Sequence, residues 1–169
     1  MGAWGPGNFE NDAALDWLGQ DDLAMRSLVR ALRADGDSEE CEQALAAAEL
    51  VAAWNGHPVA ELPESAQSFL QRRRGGPKPE LIAKARECVA AIAADSELLA
   101  LWKDDGNPAP WKAVQQSLLE RLDRPSAARP GPSIRPRPGA LRFPRKGSRR
   151  KGLLPGTGGP RNAPQRPDL

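Results

Sequence analysis

Residues that favour extended backbone are nearly missing from this chain: five Val, three Ile, one Thr and no Tyr stand among 169 residues. β-branched and aromatic side chains are what pack a pleated surface, so a sheet-based core would lack material. Ala, Leu, Glu, Gln and Arg dominate the first 123 residues instead. These types lose little side-chain freedom in a helix. The expectation is all-α, a compact bundle of six to seven short helices.

Apolar spacing and punctuation locate those helices. "NDAALDWLG" reads as a first short helix, with Asn11 or Asp12 as its cap and Gly19 as its stop. In "DDLAMRSLVRALRADG", Met25, Leu28, Val29 and Leu32 form one apolar stripe that Gly36 closes. "DSEECEQALAAAELVAAWNGHP" opens with Asp37 and, three residues on, Glu40, the spacing of a capping box. Cys41, Ala44, Leu45, Ala48 and Val51 follow on one face, and Gly56 with Pro58 ends the helix. A fourth segment turns Leu62, Ala66, Phe69 and Leu70 inward; a fifth carries Ile82, Ala85, Val89 and Ile92 to a break near Asp95 and Ser96. Leu98, Leu101 and Trp102 mark a further turn or two, and Trp111, Val114, Leu118 and Leu122 a last helix.

The pattern stops at Arg124. Residues 124–169 hold ten Pro and seven Gly, which neither helix nor sheet accommodates, with too little apolar surface to offset the entropy of ordering. Two parts are therefore expected, a helical domain over 1–123 and a disordered basic tail over 124–169. The net charge of +2 conceals the same division. Twelve Lys and Arg face twenty-one Asp and Glu up to residue 123, and twelve face a single Asp beyond it, giving −9 and +11.

Most reactive residue types have an ordinary reading. His57, the one histidine, lies in a helix-stop turn without the Cys or His partners of a zinc site. Cys41 and Cys88 fall on apolar faces, as small buried hydrophobes with reduced thiols. "DSEE" and "KDDG" suit helix ends, and "QRRRGGPK" a solvated, cationic helix terminus. "GTGG" follows no strand and is no phosphate loop. No cofactor or metal is expected. No apolar run approaches the roughly 20 residues of a membrane span, and the start lacks a basic-then-apolar leader, so a cytoplasmic protein is expected.

Two constellations remain. In the opening "MGAWGPGNFENDAALDW", Asn11, Asp12 and Asp16 could form a polar cluster beside Trp4 and Trp17, a small binding surface. The competing reading, which we prefer, is a folding device: Gly5 and Gly7 let the chain turn back, Trp4, Phe9 and Trp17 enter the core, and Asn11 or Asp12 caps a helix. The second constellation is "FPRKGSRRKG", where Arg145, Lys146, Arg149, Arg150 and Lys151 would attract polyanions, with Phe143 as a lone stacking ring. A solvated tail, or one read out of frame from a GC-rich gene, would share that composition: Arg, Pro, Gly and Ala make up 31 of its 46 residues.

"MGAWG", "FENDAALDW", "ADSELLALWKDDG" and "NPAPWKAV" resemble a bacterial family known as domain of unknown function 4259, over roughly residues 1–123. The resemblance implies no activity. The leading expectation is a non-enzymatic bacterial protein whose acidic helical domain binds a macromolecular partner, such as a basic protein. The alternative is nucleic-acid association through the basic tail. An enzyme built on Asn11, Asp12 and Asp16 is a third class, in which Asp16→Ala would cost activity and leave stability unchanged.

Overall fold

A capping box starts the helix on which the others are laid. In the computed structural model, which describes residues 3–20 and 23–127, helix α3 runs Ser38–Trp54. The Asp37 carboxylate accepts the Glu40 amide at 2.8 Å, and the Glu40 carboxylate accepts the Asp37 amide at 3.3 Å. Two N–H groups that the helix leaves without partners are thereby satisfied. The other end closes on Gly56, in the left-handed region at φ 96. The His57 amide donates to the Ala52 carbonyl and the Gly56 amide to that of Ala53, a Schellman ending. Every residue from Ala44 to Ala52 is buried, not only the expected face. The alanines leave room on all sides, and α3 touches each of the six other helices.

Those helices are α1 (Asp12–Leu18), α2 (Met25–Ala31), α4 (Glu64–Gln71), α5 (Pro79–Ala94), α6 (Glu97–Asp104) and α7 (Ala109–Asp123). Together with α3 they make the expected all-α bundle, and the described residues contain no strand, only one isolated antiparallel bridge between Ala3 and Asn11. Leu28, Leu32, Phe69, Ala85, Val89, Ile92, Leu98, Trp111, Leu118 and Leu122 reach the core as their spacing requires. Proline opens α5 and sits in the first turn of α7, where its missing N–H costs nothing. Ser96 separates α5 from α6 by accepting the Leu99 amide at 3.0 Å.

Three expectations need correction. Helix α2 ends at Ala31, well short of Gly36, because Arg33 turns its amide onto the Ala31 carbonyl at 2.7 Å. Val29 is exposed, so the α2 stripe rests on Leu28 and Leu32 with Met25 half-buried. Trp4 is 60 % exposed and does not enter the core, although Trp17 is buried and Phe9 packs against it as expected.

Of the stretch expected as tail, Arg124 to Ala127 are described, and they lie against the end of α3. The Asn55 side-chain amide donates to the Arg124 carbonyl at 3.1 Å, and the Ala127 amide donates to the Asn55 carbonyl at 3.0 Å. The His57 ring Nε2 is 2.9 Å from the Pro125 carbonyl, which requires that nitrogen to carry the proton. Residues 128–169, with most of the expected tail, lie outside the described residues.

Candidate functional site

The opening loop is pinned at both ends and in its middle. The Trp4 amide donates to the Glu10 carbonyl at 3.0 Å, and the Gly7 amide to the Glu10 carboxylate at 2.7 Å. A Cβ on Gly7 would come within 2.8 Å of that carboxylate, and one on Gly5 would overlap it, so both glycines serve close approach. Asn11 then caps α1, its side-chain oxygen accepting the Ala14 amide at 2.7 Å. This is the folding device expected from the sequence, with Trp4 left outside it.

The deepest pin is Asn8, a residue that the sequence reading passed over. It is buried, donates to the Glu49 carboxylate at 3.0 Å, and accepts from the Gln115 side-chain amide at 2.8 Å. Arg121 from α7 completes the network with two hydrogen bonds of 2.7 Å to the two Glu49 oxygens. A bidentate guanidinium and an amide thus neutralise a carboxylate that is 1 % exposed. The signal was present in the spacing. Glu49 follows Leu45 by four on the apolar stripe of α3, and Gln115 falls between Trp111 and Leu118 on that of α7.

Of the residues proposed for binding, Asp12, Asp16 and Trp17 line one cleft, and Trp4 and Asn11 stand outside it. Asn11 and Trp17 are buried, while Asp12 and Asp16 are exposed on α1. Asp12 and Asp16 face Glu39 and Glu42 of α3 across a cleft of about 310 Å³ that Trp17 also lines. Four carboxylates from two helices therefore converge. Glu42 differs from the other three in being buried, at 6 % exposure. Burial pushes its pKa up, the neighbouring Glu39 and Asp12 charges act in the same direction, and the positive charge of the chain's amino terminus opposes them.

Glu42 also borders a second groove, of about 440 Å³, between the opening loop and α6. Trp4 and Trp102 stand on its walls with Leu98 and Leu101, and Asp105 lies at its edge. Trp102 is held from behind by Trp111, the two rings stacked with centroids 6.4 Å apart. The acidic cleft and the aromatic groove thus meet at one buried carboxylate.

Other candidates resolve into structural roles. Burial raises the thiol pKa of Cys41 to about 11 and that of Cys88 to about 12, so neither is a ready nucleophile. Within the basic turn, Arg73 lies over the rings of Phe69 and Trp54, at 4.3 and 5.9 Å from their centroids. Arg72 and Arg74 beside it are exposed. Among the described residues no group of three or more His, Cys, Asp or Glu side chains is placed to hold a metal ion. No helix among them is long and apolar enough to cross a membrane. Arg145, Lys146, Arg149, Arg150 and Lys151 lie outside the described residues.

Fold and site together define a small all-α bundle with an acidic seam and an adjoining aromatic groove. The chain belongs to the family described as domain of unknown function DUF4259, whose model matches residues 2–114. That span takes in the opening loop, the acidic cleft and the aromatic groove, and ends within α7. No curated protein and no solved structure matches the chain.

Proposed function

We propose that this is a non-enzymatic cytoplasmic protein of bacterial origin that binds a basic protein partner through its acidic helical face. The observation that carries the reading is the convergence of Asp12, Asp16, Glu39 and Glu42 on one cleft between α1 and α3. Carboxylates of one sign lining a cleft give it a negative potential, which a cationic partner surface complements while it steers encounter. Asp12 and Asp16 are exposed, so they act on approach and orientation rather than on the core.

The five-cation cluster from Arg145 to Lys151 supports a second reading, association with nucleic acid through phosphate contacts. One experiment separates them. Tagged full-length protein, a variant combining Asp12→Asn, Asp16→Asn and Glu39→Gln, and a variant with the five tail cations changed to Gln are recovered from nuclease-treated cells that carry the gene. A defined protein retained by wild type and the tail variant, and lost from the acidic-face variant, is the expected outcome. Nucleic acid retained by all but the tail variant, and released by salt, would move the function to the tail. Retention of the same protein by all three would sink the acidic-face reading.

A further inference from the structure

The four residues that follow α7, Arg124 to Ala127, are held in place although all of them are exposed. Their main chain makes three hydrogen bonds to the end of α3. The Arg124 carbonyl accepts from the Asn55 side-chain amide at 3.1 Å, and the Pro125 carbonyl from the His57 ring at 2.9 Å. The Ala127 amide donates to the Asn55 carbonyl at 3.0 Å. These bonds grip backbone, so what the seat asks of its occupant is an extended course. Proline sets that course, fixing its own φ and driving the residue before it to extended backbone, where Arg124 stands at φ −70 and ψ 143. The seat itself is firm. Arg121, bound to Glu49, also reaches the His57 carbonyl at 3.4 Å and so ties the turn to the buried network. The present occupant fills it only in part: Asn55 is 1 % exposed, and its side-chain oxygen is buried without a hydrogen-bond partner. A second observation comes from the sequence. The Arg-Pro pair seated here recurs at Arg129-Pro130, Arg135-Pro136, Arg137-Pro138 and Arg166-Pro167, all beyond the described residues. Each chain thus carries five such pairs for one seat.

We propose that the seat formed by Asn55 and His57 takes an Arg-Pro segment from a second copy of this chain, in exchange with the chain's own Arg124-Pro125, so that molecules associate through their C-terminal sequences. The seat lies at the opposite end of α3 from the acidic cleft, and the inference is independent of the reading built on that cleft. Exchange of identical segments between copies needs no new interface chemistry. With none of the four seated residues buried, it gives up three backbone bonds, and the incoming segment restores them. Arginine before the proline is favoured by what it meets. The carbonyl end of α3 carries partial negative charge, and a domain of net charge −9 draws cationic segments toward it. The chain's own segment competes from the high local concentration of a direct tether, so association rises with protein concentration.

The test follows the mass of the full chain by sedimentation velocity from micromolar to millimolar concentration, and the ring signals of His57, the one histidine, by NMR. Wild type is expected to gain mass with concentration. Excess acetyl-Ser-Ile-Arg-Pro-Arg-Pro-Gly-amide, the sequence of residues 133–139, should reverse that gain and move the His57 signals. The same peptide with alanine for both prolines should bind several-fold more weakly. A variant combining Pro130→Ala, Pro136→Ala, Pro138→Ala and Pro167→Ala keeps every charge and should stay monomeric. His57→Phe keeps a ring of similar size, removes the donor, and should lose both association and peptide binding. Pro125→Ala, at an exposed position, loosens the chain's own segment and should bind the peptide several-fold more tightly than wild type. A wild type that remains monomeric to millimolar concentration overturns the proposal, and so does association that survives the four-proline variant. Association or peptide binding that His57→Phe leaves unchanged overturns the assignment to this seat. Equal peptide affinity of wild type and Pro125→Ala shows that the peptide does not compete with Arg124-Pro125, and overturns the exchange.

Discussion

Glu42 and Glu49 share one side of α3, and their surroundings give them opposite effects on stability. Removing one member of a buried, hydrogen-bonded ion pair leaves the other charge uncompensated, at a cost of about 3–5 kcal/mol. Arg121→Met is therefore expected to lower unfolding free energy by about that much in urea titration. The double change Glu49→Met with Arg121→Met should lie closer to wild type, because no orphan charge remains. Glu42 behaves in the reverse way. Its pKa is raised in the folded protein, so the folded state takes up a proton at higher pH than the unfolded chain does. At neutral pH its charge costs stability. That cost is relieved as pH falls through the raised value, and nothing more changes once the unfolded chain is also protonated, below the ordinary 4.5. Glu42→Gln should accordingly raise the melting temperature at pH 7, and the gain should shrink toward zero below about pH 4.

At the scale of elements, caps and stops decide where each helix begins and ends. Asp37→Ala removes one half of the α3 capping box and is expected to cost about 1 kcal/mol with an unchanged denaturant slope. Because α3 contacts every other helix, that loss should appear in global unfolding and not only as fraying of one end. Asn11 makes the equivalent bond for α1, so the residue grouped with Asp12 and Asp16 on sequence is occupied as a cap. The Asp37–Glu40 box, the Gly56 ending and the Ser96 break were all legible, since each depends on residue type within a few positions. The α2 ending was not. It follows from a local 2.7 Å bond at Arg33 and from Leu32 turning into the core, and Gly36 takes no part in it.

On the scale of the whole molecule, the bundle encloses both thiols. Cys41 and Cys88 are buried, with pKa values raised to about 11 and about 12 chiefly by burial. A thiol reagent at pH 8 should leave both unmodified in the native protein, and both should react with the midpoint of global unfolding. Early reaction of either thiol would show a sub-region that opens by itself. The scarcity of strand formers, the 3.6-residue apolar spacing and the caps determined an all-α domain of six to seven short helices, because each acts over one or two turns. Which polar residues would be buried together was decided only in three dimensions. Of Asn8, Glu49, Gln115 and Arg121, the bonded pair Asn8 and Gln115 alone are 107 positions apart, and no local pattern says that these residues meet. The same holds for the seam. Asp12 and Asp16 could be read as a helix face, but the arrival of Glu39 and Glu42 opposite them depends on how α1 crosses α3. Trp4 was misplaced for that reason: an aromatic ring near a chain start satisfies a core or a surface equally well until the packing of its neighbours fills the core without it.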